Sequence, residues 1–197
     1  RLQKACLNQA YKLQLFDSCV IKLYVHTVPH FGDESVLEKH WAGARNKKMK
    51  GALTLFAQDA ASKLILYTDA DINRDEADDQ VLNFLAFWKG IRRGIKSTFV
   101  FDSKFTTYAN LSALNTQGIK FITTRRRGKK LIEKTNKLKL WKRIPITPAK
   151  RKYPNPLVYE SFVTIRDYEG DLRQVIVRGT GREKPTFLIS NDFDSTL

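Results

Sequence analysis

Hydrophobic and polar positions along this chain follow two rhythms. Leu2, Cys6, Leu7, Ala10 and Tyr11 recur at helical spacing, and Asp17-Ser18 breaks the pattern. Cys19 to Val28 is dense in Val, Ile and Tyr and predicts a strand, which Pro29 to Gly32 ends. Two β-rich runs, Gly51 to Gln58 and Lys63 to Thr68, flank Asp59-Ala60-Ala61-Ser62 and predict a hairpin with Asp59 as a turn residue. Val81, Phe84, Leu85 and Trp88 share one face of a helix. Before it stand Asp69, Asp71, Asp75, Glu76, Asp78 and Asp79, which lack the Gly and terminal Glu of a calcium loop. Acids at a helix start are favoured by its dipole, so they read as capping and solvation.

After Gly94, Phe99-Val100-Phe101 predicts a short buried strand that stops at Asp102. Asp102 has two readings. A carboxylate at the C-terminal end of a buried strand faces the crevice where open α/β sheets bind ligands; alternatively, Asp102 and Ser103 cap the helix that follows. Thr106 to Leu114 predicts that helix, closed by Gly118, and Ile119 to Thr124 predicts another strand. From Arg125 the character changes. Strands are expected at Trp141 to Ile146, Leu157 to Asp167, Leu172 to Gly179 and Pro185 to Ser190, broken by Pro148, Pro154, Pro156, Gly170 and Gly181. Residues 166–173 (RDYEGDLR) read as a hairpin turn.

Charge gives these segments different meanings. The chain of 197 residues carries 35 Lys and Arg against 20 Asp and Glu. Lys120 to Lys184 alone holds 19 basic and 6 acidic residues, whereas Arg1 to Ile119 holds 16 and 12. A basic block of this kind implies a polyanionic partner bound largely through counterion release. No apolar run approaches the roughly 20 residues that span a bilayer, so a membrane is not the expected partner. Cys6 and Cys19 have neither metal-ligand spacing nor a disulfide framework, which fits a reducing, cytoplasmic setting. His26 and His30 straddle Pro29 beside a strand with no Glu between them, so they are not a zincin pair. The chain begins at Arg1 without Met and reads as a piece of something longer.

Phe101-Asp102-Ser103-Lys104-Phe105-Thr106-Thr107-Tyr108, then Leu111, Leu114, Asn115, Gly118, Ile119 and Phe121 to Arg127 (FITTRRR), form one ordered block. An earlier block contains His26-Thr27-Val28-Pro29, Gly32, Leu37-Glu38-Lys39-His40, Lys50-Gly51 and Ala57-Gln58-Asp59. Together they resemble the DDE transposases of bacterial insertion sequences, from about Val20 to Asp192. The resemblance implies an α/β fold: a ribonuclease H-like mixed sheet with flanking helices and an inserted basic β-rich subdomain. Residues 1–17 are then the tail of an N-terminal helical domain, 18–124 the first part of the catalytic core and 125–192 the insertion. The C-terminal helix that carries the family's catalytic Glu is then expected to lie outside this chain.

The implied chemistry is strand cleavage and transfer by carboxylates holding Mg²⁺ or Mn²⁺. Asp102 matches the second catalytic, metal-binding Asp. The first falls on Tyr24, flanked by Leu23, His26 and Pro29 in the family's order. A phenol titrating near ~10 is a poor ligand for a hard cation at neutral pH, so this copy is expected to be inactive. Lys104, Arg125, Arg126, Arg127, Lys129 and Lys130 are the expected DNA contacts. The partners implied are element ends and target DNA, with a homodimer in the intact protein and no small-molecule substrate. The competing reading is a non-catalytic DNA-binding relic.

Overall fold

A computed structural model describes residues 2–32, 36–91, 96–146 and 152–196. The Gly94 break and Pro148 lie outside the described residues. Among those residues the chain forms four α-helices and one ten-stranded mixed sheet. In chain order these are α1 (Leu2–Lys12), β1 (Val20–Pro29), β2 (Lys39–Ala42), β3 (Lys47–Asp59), β4 (Ile65–Ile72), α2 (Gln80–Lys89), β5 (Thr98–Phe101), α3 (Tyr108–Thr116), β6 (Lys120–Thr124), α4 (Lys129–Asn136), β7 (Lys142–Arg143), β8 (Leu157–Thr164), β9 (Asp171–Arg178) and β10 (Thr186–Ser190). The strand order is β2-β3-β1-β5-β6-β10-β9-β8-β7, with β4 also paired to β3.

Strands β1, β5 and β6 are parallel, as connections through helices require, and all other pairings are antiparallel. Register builds a core from transverse rows. Ile21 pairs Phe99, which pairs Phe121; Ala57, Leu23, Phe101, Thr123 and Ile189 form the next row on the same face. Helix α2 covers that face with Val81, Phe84, Leu85 and Trp88, and α3 adds Leu111 and Leu114. Phe84 lies 5.3 Å from Phe99, centroid to centroid, so the helix predicted from its apolar spacing packs where that spacing points. The opposite face, with Tyr24, Val100, Ile122 and Leu188, is only partly covered.

Local chemistry fixes the connections. Asp59 ends β3 fully buried and accepts hydrogen bonds from the Ser62 N–H and hydroxyl, both at 2.7 Å, and from the Ser18 N–H at 3.2 Å. Burial alone raises its pKa, but these donors outweigh it and hold the carboxyl below its ordinary value. Its expected turn role therefore includes a second task, stapling the chain before β1. Asn73 and Glu76 form a capping box at the 3-10 turn Arg74–Asp79 that leads into α2, in line with the capping reading of that acidic run. Gly51 has a steric cause: a Cβ there would lie 2.3 Å from the Val28 carbonyl oxygen.

Three elements differ from expectation. Strand β2 pairs with the start of β3, making a β2–β3 hairpin that the hydrophobic pattern did not announce. Helix α4 occupies a stretch where no element was expected; Leu131, Thr135 and Leu138 in fact recur at helical spacing. The strand expected at Trp141 to Ile146 shrinks to Lys142–Arg143, because Ile144 and Ile146 donate to the Pro156 and Pro154 carbonyls but neither proline has an N–H to return. Strands β7 to β10 continue the same sheet through the β6–β10 pairing. At the other end α1 docks on β4, with Leu7 buried and the Gln3 amide donating to the Thr68 carbonyl at 2.8 Å.

Candidate active site and nucleic-acid surface

The parallel register decides where Asp102 lies. Leu23 pairs with Phe101, and Phe101 with Thr123. One residue further along, Tyr24, Asp102 and Thr124 stand level on the partly covered face, continued by Phe56 beside Tyr24 and Leu188 beside Thr124. Tyr24 is 40% exposed and stacks on Phe56 at 5.4 Å. The two positions that the family resemblance couples, 24 and 102, are thus neighbours across adjacent strands.

Asp102 is exposed and serves as the cap of a short 3-10 turn, Ser103–Phe105. Its Oδ1 accepts from the Lys104 N–H at 3.3 Å, the Ser103 hydroxyl at 3.4 Å and the Thr124 hydroxyl at 3.2 Å. The cap and crevice readings are therefore compatible: capping uses one oxygen and leaves the carboxylate at the end of β5. Thr107, not Asp102, caps α3, accepting from the Asn110 N–H at 3.1 Å. Thr124 holds Asp102 and was not singled out from the sequence; its only signal was its place in FITTRRR.

Behind Asp102 a cavity of about 380 Å³ is lined by Ser103, Thr106, Thr107, Thr124 and Arg126. Thr123 also lines it; this residue is 2% exposed and its hydroxyl oxygen has no hydrogen-bond partner. The residues do not make a site for Mg²⁺. Among the described residues no three His, Cys, Asp or Glu side chains converge, and one carboxylate beside a phenol falls short of the oxygen donors that a hard cation demands.

The basic residues sort into two groups. The Arg125 guanidinium donates to the Gln174 side-chain oxygen, and that of Arg127 to the Pro185 carbonyl at 2.6 Å. Arg126 is exposed, with one long contact of 3.4 Å to the Ser103 carbonyl. Lys104, Lys129 and Lys130 are exposed, the last two in the first turn of α4. The structure thus brings Arg126 and Lys104 to the Asp102 end of the sheet and gives Arg125 and Arg127 partners within the fold. Asp192 is buried among Lys120 at 2.8 Å and the Ser195 hydroxyl, which together hold its carboxyl at about 2. No helix among the described residues is long and apolar enough to cross a membrane.

No protein-family model and no curated protein sequence matches this chain. Among solved structures it is similar to one described as "Cryo-EM structure of piggyBac transposase synaptic complex with hairpin DNA", with a TM-score of 0.56 and 13% sequence identity over 97% of this chain. The match spans 38% of that protein's chain. At this identity the likeness establishes a shared fold.

Proposed function

We propose that this chain is a fragment of a transposase of the insertion-sequence class, with a ribonuclease H-like core, that engages DNA and does not cleave it. The observation that carries the reading is the row Tyr24–Asp102–Thr124, because the two positions that the pattern resemblance couples stand level on adjacent strands. Further support comes from the run β4-β3-β1-β5-β6, three antiparallel strands followed by two parallel crossovers, and from the transposase fold it is similar to. DNA contact rests on Lys104, Arg126, Lys129 and Lys130, whose charges are exposed. Two lysines at the positive end of α4 oppose its dipole, a cost that a bound phosphate offsets.

Four such contacts predict a log–log salt slope of about −3 to −4 for duplex binding. Tyr24→Asp should create Mn²⁺ binding, read by calorimetry, and Asp102→Ala in that background should abolish it. Metal-dependent plasmid nicking by the unmodified chain, persisting in Asp102→Ala, would overturn the assignment.

A further inference from the structure

We propose that the β2–β3 hairpin, Lys39 to Lys50, is a second nucleic-acid contact, one that holds an unpaired DNA strand by stacking a base on Trp41 between lysines. The choice of DNA over RNA rests on the function proposed above; the stacking platform stands on its own geometry. The hairpin holds five basic residues, Lys39, Arg45, Lys47, Lys48 and Lys50, and no acidic one. Averaging over Arg1 to Ile119 hides it, because the acidic run Asp69 to Asp79 cancels its charge in the sum.

The pairing sorts the hairpin into two faces. His40 and Ala42 are buried, while Lys39 stands opposite Lys50 and Trp41 opposite Lys48 on the outward side. Like charges directly across an antiparallel pair destabilise it, so the arrangement opposes folding and favours a polyanion. The ammonium groups of Lys39, Lys47 and Lys48 make no hydrogen bond or ion pair among the described residues. Trp41 is 51% exposed and its indole N–H is likewise unpaired. An aromatic face amid lysines on a β surface is the platform on which single strands stack without sequence preference.

The platform is held rigidly. The Gly51 N–H donates to the Glu38 carbonyl at 3.1 Å, and the His30 N–H to the Lys50 carbonyl at 2.9 Å. The Arg74 N–H donates to the Glu38 carboxylate at 2.9 Å, and its guanidinium to the Lys39 carbonyl. Asn46, at φ 51°, closes the four-residue loop. The face is also the right one. Steps of two along β3 from Phe56, through Thr54 and Ala52, reach Lys50 and Lys48 on the side that carries Tyr24 and Asp102. The hairpin leaves the sheet at Pro29, five residues beyond Tyr24 on β1, or about 16 Å.

The test is tryptophan fluorescence and anisotropy with a thymidine oligomer of about 15 nucleotides, the matching uridine oligomer and a duplex of the same length. Binding of the thymidine oligomer should quench Trp41 emission. Trp41→Ala should weaken that binding about ten-fold or more, with Trp41→Tyr retaining most of it, while duplex affinity changes less than about two-fold. Both variants should keep the parent's melting temperature because the ring is exposed. Unchanged affinity for the thymidine oligomer in Trp41→Ala, or an equal loss on duplex, would overturn the platform. Tighter binding of the uridine oligomer would overturn the assignment to DNA. A chain that fails on duplex yet loses single-strand binding through Trp41→Ala would remove the proposed duplex contacts and keep the platform.

Discussion

Two basic regions of this molecule use their charge in opposite ways. Between Lys120 and Lys184 several basic side chains are committed to the fold. Arg173 is buried, donating to Glu160 and to the Asp192 and Ser195 carbonyls; Arg178 bonds Asn136 and lies 4.6 Å over the Trp141 ring; Lys120 bridges Asp192 and Asp194. In the β2–β3 hairpin the lysines other than Lys50 have no such partners among the described residues. The side chains explain the division. A guanidinium offers five donors in a fixed fork and can satisfy several carbonyls at once, whereas an ammonium is a strongly hydrated point charge that remains at the surface. A count of basic residues therefore overstates the charge that a segment offers to a ligand wherever its arginines are bonded within the fold.

Stability measurements sharpen the contrast. The largest effect is expected at Arg173. Arg173→Ala leaves Glu160 and two carbonyls without their donor and should cost about 3 kcal/mol in urea unfolding, since Glu160 is itself only partly buried. A loss of a few tenths would show that this arginine is as free as the hairpin lysines.

Asp192 gives a smaller effect that depends on pH. Its folded pKa of about 2 lies below the ordinary 3.8, so its contribution is present above pH 4 and disappears as the pH falls toward 2. Asp192→Asn should flatten the acid limb of the stability curve over that interval and leave its shape near neutrality unchanged; an unaltered limb would separate Asp192 from acid unfolding. The smallest change is expected from Lys39→Gln, which relieves the repulsion from Lys50 and should stabilise the protein by about 0.3 kcal/mol at low salt. Destabilisation instead would mean that Lys39 supports the fold.

Much of the helix-covered core was legible from residue spacing. Val81, Phe84, Leu85 and Trp88 predicted the face of α2 that is buried, and Phe99-Val100-Phe101 predicted β5 with its end at Asp102. Local preference and tertiary burial agree at these positions, so either suffices. Strand β2 was not legible, because four residues carry too short an alternation and its pairing with β3 depends on the turn at Gly43–Asn46. Helix α4 was missed through its charge: the lysines drew attention from Leu131, Thr135 and Leu138.

The candidate site divides in the same way. Asp102 and Tyr24 were visible as positions in a pattern, yet Thr124, which holds Asp102, and Gln174, which engages Arg125, are 22 and 49 residues away from their partners. Spacing and composition were enough for the elements built on local periodicity and the sign of the charge, and the pattern resemblance for the candidate pair Tyr24 on β1 and Asp102 after β5. The tertiary structure alone decided that these positions are neighbours, which arginines are spent within the fold and which lysines face solvent. Those outcomes follow from strand register, which is set by packing between segments distant in the chain and has no local signature.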